Sequence, residues 1–371
     1  MANDRAADEH NPDPEALIES TIDRIAPLDR VSMKAASERL DRLTKPQGSL
    51  GWLEDLAIWL AGASGQPMPL LPRKAVVVAA ADHGVARGGI SAYPPEVTAA
   101  MVQNFLAGGA AINVMARAQG ATVTIIDAGV ATEVVPPPKT SRLRFQSRRV
   151  GPGTQDMTTS AAMSEEQARA CVAHGIEVVE ELREAGLDLV ATGDMGIGNT
   201  TAAAAITAVR AEAEVADVTG RGTGVDDAGL ERKTAAVQAA ITRNQPDATD
   251  GIDVLRCVGG FEIGVLTGVI LGAAVNQVPV ALDGYVSGAA ALIAQAIAPQ
   301  AIDYCAAAHL SAEPGHAIAL ERLGLTPYIE LEMRLGEGTG ATLFLGHVEA
   351  ATRVLSEMAT FDEAGVPEQD D

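Results

Sequence analysis

An α/β fold, with a parallel β-sheet covered by helices, is what the sequence predicts, and two observations carry the prediction. Four short apolar runs each stop at a polar residue and a glycine, and a helical segment follows each of them. The runs are Ala75–Ala81 before Asp82-His83-Gly84, Thr122–Ile126 before Asp127-Ala128-Gly129, Leu187–Ala191 before Thr192-Gly193-Asp194, and Pro279–Leu282 before Asp283-Gly284. Continuous apolar runs, rather than alternating ones, mark strands buried on both faces. Strands that alternate with helices form βα units. Ligands of such sheets bind at the carboxyl ends of the strands, so the four strand-end loops are expected to converge on one site.

The flanking segments read differently. Residues 1–14 are polar, charged and Pro-containing, the composition of a disordered terminus. From Pro14 to about Ala61 apolar residues recur at helical spacing, interrupted by the loop Thr44-Lys45-Pro46-Gln47-Gly48-Ser49. The Pro/Gly-rich stretch at 62–73 is a plausible boundary. Gly340–Met358 is amphipathic and helical, and 361–371 is an acidic tail.

With 371 residues the chain can bury a sizeable core. Aromatic residues make up 3% of it, so that core is built from Ala, Val, Leu and Ile. The formal net charge is −22, which leaves no broad cationic surface for nucleic acid or for an anionic membrane. Lysines are few (Lys34, Lys45, Lys74, Lys139, Lys233), so a lysine beside a glycine-rich motif stands out. Cys171, Cys257 and Cys305 are far apart and form no metal-ligand spacing, which fits a reducing cytoplasm. The polar, acidic N-terminus does not read as a signal peptide. The longest apolar run, Ile263–Val275, is too short for a membrane span.

Four segments have the residue types that chemistry needs. Gly193-Asp194-Met195-Gly196-Ile197-Gly198-Asn199-Thr200-Thr201 joins a strand to a helix start. Its glycines bring backbone N–H groups close to an anion, and the helix N-terminus adds favourable potential; an ordinary tight βα turn has the same pattern. Thr219-Gly220-Arg221-Gly222-Thr223-Gly224, followed by Lys233, is a second candidate phosphate cradle. In Arg334-Leu335-Gly336-Glu337-Gly338, a carboxylate between glycines is open to ligand and can act as a base if burial raises its pKa; an exposed loop glutamate has the same sequence. Asp82-His83-Gly84 offers strand-end groups suited to catalysis, though with no partner at metal-ligand spacing, and Ser91-Ala92-Tyr93-Pro94 after it forms a turn that can line a pocket for a flat base; a purely structural turn has the same sequence.

Taken together, the strings LTKPQGSLG, ADHGV with SAYP, DAGV, GDMGIGNTT, TGRGTG, GGFEIGVLTG, LDGYVSGAA, SAEPGH and MRLGEGTGA resemble those of the nicotinate-nucleotide–dimethylbenzimidazole phosphoribosyltransferases. They run in the family's order from about residue 40 to residue 345. The resemblance implies a Rossmann-like large domain at 71–344. It also implies a small helical domain, made from 15–70 and the C-terminal helix at 345–360, and a homodimer in which the neighbour's small domain helps close the site. It places Glu337 as the general base. Asp194 falls where some members carry Glu, which shortens that acid by one methylene. The nucleotide's phosphate and ribose fall to Gly196, Gly198, Asn199, Thr200, Gly220, Gly222, Lys233 and Ser311. The base falls to Ser91, Tyr93, Arg334 and Leu335. The substrates implied are nicotinate mononucleotide and a benzimidazole-type base, with no cofactor and no metal. Nicotinate mononucleotide has its own leaving group, a pyridinium on C1′.

Two alternatives stay open on the residues alone: another nucleotide-using transferase or hydrolase on the same scaffold, and a non-catalytic paralogue that binds nucleotide or base. A dinucleotide dehydrogenase fits less well, because no GxGxxG follows the first strand.

Overall fold

From residue 74 onward the chain intersperses strands with helices. The computed structural model describes residues 13–136 and 143–367. The N-terminal disorder expected for 1–14 therefore falls almost wholly outside the described residues, as do Lys139 and the end of the acidic tail. Three helices come first: α1 (Pro14–Arg24), α2 (Arg30–Arg42) and α3 (Trp52–Ser64). There follow β1 (Lys74–Ala81), α4 (Val97–Ala107), α5 (Ala111–Ala118), β2 (Thr122–Gly129), β3 (Arg144–Ser147), α6 (Glu165–Glu184), β4 (Leu189–Met195), α7 (Asn199–Arg210), α8 (Val215–Val218) and α9 (Asp227–Asn244). The chain continues through α10 (Gly251–Val258), α11 (Phe261–Val275), β5 (Val280–Leu282), α12 (Tyr285–Ile297), β6 (Cys305–Ala307), β7 (His309–Leu310), α13 (Pro314–Leu323), β8 (Ile329–Glu330), α14 (Thr339–Glu357) and α15 (Phe361–Ala364).

The main sheet has six strands in the order β3-β2-β1-β4-β5-β6, and every pairing is parallel. This is the Rossmann-type order, in which the strand sequence reverses between β1 and β4 and leaves a crevice beyond their carboxyl ends. All four expected strands are present. β1 shows why they form: each of its residues is buried, and successive side chains enter opposite faces. Ala75, Val77, Ala79 and Ala81 join the core under α6, α11 and α12. Val76, Val78 and Ala80 join the core under α3, α4, α5 and α14. The α6–α11 contact rests on glycine. A Cβ at Gly175 would run into the Val265 carbonyl, and one at Gly268 into the Val172 carbonyl, so bare backbone lets the two helices approach.

α1 packs on α6 and α11, whereas α2 and α3 pack on each other and on α14. The α14 helix begins at Thr339, ahead of 345, and also lies over β4, β5 and α5. Arg39 ties α2 to the end of α14 through the carbonyls of Leu355 and Met358. The Thr44–Ser49 loop is fixed by a buried Lys45–Glu54 ion pair at 2.9 Å. The acidic tail opens with the short helix α15. Among the described residues, the one stretch long and apolar enough to cross a membrane by length and composition is Val97–Ala118; Gly108–Ala110 divide it into α4 and α5.

Candidate active site

The site grows out of the β1/β4 crevice. β4 ends at Gly193-Asp194-Met195, and the chain turns through Gly196, Ile197 and Gly198 into α7. The Ile197 N–H donates to the Thr98 hydroxyl of α4 at 3.1 Å, which anchors the loop. Opposite it lies the turn Gly220–Gly224. Lys233, from α9, reaches between the two loops and is 1% exposed. Its ammonium donates to the Thr200 hydroxyl at 2.8 Å and to the Gly220 carbonyl at 3.0 Å. Burial lowers Lys233 to about 8, and the nearby Glu313 charge pulls it back only in part. Glu313 is itself buried, and it accepts the Gly222 N–H at 2.8 Å. Ser311, just past β7, donates its N–H to His316 Nδ1 at 2.9 Å, and its hydroxyl faces the Glu313 N–H at 3.4 Å.

A cavity of about 680 Å³, including its open mouth, lies between these elements. Ser91, Asp194, Gly196, Gly198, Asn199, Thr200, Gly222, Lys233, Ser311, Arg334 and Leu335 all line it. Three of the site residues named from the sequence stand apart from its wall. Gly220 is behind it, and its carbonyl holds Lys233. Tyr93 is 52% exposed and lines a neighbouring cavity with Asp82 and His83, which meets the first at Ser91. Glu337 lies just behind Gly336, and its carboxylate faces α5, where Oε2 accepts the Ile112 N–H at 3.4 Å.

Glu337 has unusual backbone. Its φ is +62°, between Gly336 at +78° and Gly338 at +88°. A left-handed conformation is easy for glycine and costly for glutamate, and strain of this kind gathers at functional sites. The turn also needs bare backbone opposite it, because a Cβ at Gly193 would stand 2.6 Å from the Glu337 carbonyl carbon. Burial raises Glu337 above the usual carboxylate range; the Ile112 N–H opposes this and the Asp283 charge adds to it. Asp194 is raised well above that range, first by burial and then by the charges of Asp283 and Glu262, against the hydrogen bond from Asn199 Nδ2 at 2.8 Å.

Three groups here had no role assigned from sequence. Asp283, one residue past β5, is buried and accepts the N–H groups of Gly338 at 3.1 Å and Ala341 at 2.9 Å. Glu262, in the first turn of α11, meets His83 Nε2 at 2.5 Å beneath Gly196. Burial disfavours the imidazolium of His83, yet the Glu262 and Asp82 charges outweigh burial and hold it above its ordinary value. His309 lies 3.6 Å from Asp283. The strand-end position of Asp283 was the available signal; the partners of these groups are distant in sequence.

A family model described as phosphoribosyltransferase matches residues 25–366. A relative from Chloroflexus aurantiacus (strain J-10-fl) is 53% identical over 353 residues, 95% of this chain and 99% of its own. One from Roseiflexus sp. (strain RS-1) is 54% identical over 351 residues, 95% of this chain and 98% of its own. Both are named nicotinate-nucleotide–dimethylbenzimidazole phosphoribosyltransferase. The crystal structure of the enzyme of that name from Thermus thermophilus superposes with a TM-score of 0.86 at 44% identity, covering 92% of this chain and all of that one.

Proposed function

The chain belongs to the nicotinate-nucleotide–dimethylbenzimidazole phosphoribosyltransferase family, and from that premise we propose that it moves the 5-phosphoribosyl group of nicotinate mononucleotide onto 5,6-dimethylbenzimidazole. The products are α-ribazole 5′-phosphate and nicotinate, in the nucleotide-loop assembly of cobalamin. The observation that carries the reading is Glu337. It is a buried, strained carboxylate held above its usual range, one residue behind the wall of a cavity that a buried lysine and two glycine loops enclose.

The phosphate takes the cradle of Gly196, Gly198, Asn199, Thr200, Gly222, Lys233 and Ser311, with Gly220 steadying the ammonium from behind. Asp194 faces the ribose and stabilises positive charge as it develops on C1′. The glycosidic bond breaks with its electron pair on the pyridinium nitrogen, and nicotinate leaves with a neutral ring. An acceptor ring nitrogen attacks C1′ from the opposite face, with inversion. Glu337 takes the other ring nitrogen's proton, a task worth roughly 10²–10⁴-fold. Its 3.4 Å contact with Ile112 is long for a bond to a carboxylate, so the incoming ring N–H replaces it at small cost. Ser91, Tyr93, Arg334 and Leu335 flank the base.

We further propose a homodimer in a cytoplasmic setting. Exposed Leu50 and Trp52, on the helical side of the chain, support the dimer, and the three free, buried cysteines support a reducing compartment. Light scattering on the pure protein tests the dimer. Chromatography after mixing the protein with nicotinate mononucleotide and dimethylbenzimidazole tests the reaction. Equimolar ribazole phosphate and nicotinate are expected. Nicotinate release that does not depend on the base would point to a hydrolase instead.

A further inference from the structure

The peptide units on either side of Glu337 are held from the ends of two different strands, by the Asp194 backbone and the Asp283 carboxylate. Its own N–H donates to the Asp194 carbonyl at 3.2 Å. The next N–H, of Gly338, donates to the Asp283 carboxylate, whose second oxygen accepts from Ala341. Gly338 is the N-cap of α14 and has no side chain to cap it. The first-turn N–H groups of a helix have no partner within the helix, and here a carboxylate just past β5 supplies one. Three successive left-handed residues, Gly336 to Gly338, have little intrinsic preference for that conformation. Tertiary contacts must therefore hold them, and Asp283 makes one of these at Gly338 and anchors the helix behind the turn at Ala341.

We propose that Asp283 is a positioning residue for the transfer, fixing the strained Gly336–Gly338 turn so that the Glu337 carboxylate meets the acceptor ring in one orientation. The proposal rests on Glu337 being the base. The titratable groups facing Asp283 are His309 from β7, Asp194 from the end of β4 and Glu337 itself; the Thr192 hydroxyl accepts its N–H at 3.1 Å. The carboxylate thus has two effects on Glu337. It holds the turn, and its charge favours the protonated form of Glu337, which makes the ionised form a stronger base.

The test is Asp283→Asn in the full-length chain, with kcat and KM measured separately across pH. Asparagine keeps the size, but only one of its two polar atoms accepts, so one tie and the charge are lost. A drop in kcat on the order of 100-fold is expected from misplacement of the reacting group. KM for nicotinate mononucleotide should stay within about twofold, since the phosphate cradle is untouched. The acidic limb of kcat should move to lower pH, because the Asp283 charge that raises Glu337 is gone, a readout that loss of folded protein would not produce. Asp283→Asn added to Glu337→Gln should slow the enzyme no further than Glu337→Gln alone, because both act through one group. If Asp283→Asn does not fold, Asp283→Ser removes the same charge with less bulk and reads the same limb. Unchanged kcat, an unmoved limb or an additive double variant would each overturn the positioning role. Full turnover by Glu337→Gln would instead overturn the base assignment on which it rests.

Discussion

Removing the charge of Lys233 should cost affinity for the nucleotide while leaving the fold intact. Lys233 is fully enclosed, with two of its three N–H donors committed to Thr200 and Gly220. The third is free for a phosphate oxygen, and a hydrogen bond to a charged group is worth about 1.5–3 kcal/mol. Lys233→Met should therefore raise KM for nicotinate mononucleotide by roughly 10- to 150-fold, with a smaller change in kcat. The same group sets a pH dependence. Because burial lowers Lys233 to about 8, the ammonium is lost as pH climbs through that value. KM should rise about tenfold per unit above it until binding by the remaining groups sets a floor. Stability runs the other way. The unfolded chain binds more protons than the folded one between about 8 and the ordinary lysine value of 10.5, so the folded state bears a cost of roughly 3 kcal/mol below that window that fades as pH rises. Methionine removes this cost and leaves the Gly220 carbonyl short of a donor, a loss of about 1–3 kcal/mol, so the melting temperature should change little. Steady-state kinetics from about pH 7 to about pH 9.5, with thermal melts of both proteins, make the check. A flat KM across that range, or a variant that melts far below the parent, would refute the reasoning.

Glu337→Gln should lower kcat by roughly 10²–10⁴-fold, and in the parent the acidic limb of kcat should lie above the usual carboxylate range, since Glu337 is raised. Glu337→Gly should be equally slow yet more stable by about 1 kcal/mol, because glycine relieves the left-handed strain; a lower melting temperature would contradict that. Gly193→Ala puts a Cβ 2.6 Å from the Glu337 carbonyl carbon, so it should cost about 1–3 kcal/mol of stability and reduce kcat more than it raises KM. Added salt should raise kcat/KM at low nucleotide, because a chain of net charge −22 repels an anionic substrate and screening relieves that repulsion; a fall in kcat/KM would show that a local cationic field governs encounter.

The strands legible in the sequence were those whose own residues demand burial. β1, β2, β4 and β5 are largely apolar and end at a polar residue and a glycine. β3 reads RFQS and is a partly exposed edge strand, while β6 spans three residues and β7 two. These owe their extended form to a neighbour's backbone, which local composition does not reveal. The glycine loops and Lys233 stood out because lysine is rare here and the loops are dense in glycine. The direction of the Glu337 carboxylate toward Ile112, and the grip of Asp283 on the turn, join residues far apart in the chain. They exist only once β5, α5 and α14 are packed together.

That packing explains how a protein of net charge −22 can handle an anion. Lys233 and the two glycine loops line the cavity, with Arg221 and Arg334. Around the Gly336–Gly338 turn, Asp194, which lines the cavity, crowds with Asp283 and Glu337 behind its wall. Burial pushes each toward its protonated form, and the Asp283 charge pushes Asp194 and Glu337 further. The substrate has the matching polarity: phosphate at one end, and at the other a pyridinium whose charge passes to the ribose as the bond breaks. Crowded, buried carboxylates are costly while the site is empty, a cost that His309, 3.6 Å from Asp283, offsets in part. Positive charge developing on the ribose favours their ionised forms, so the acids answer that charge from positions already fixed. The strained turn adds to the same stored cost, and Asp283, which holds the turn and belongs to the acidic cluster, links the two.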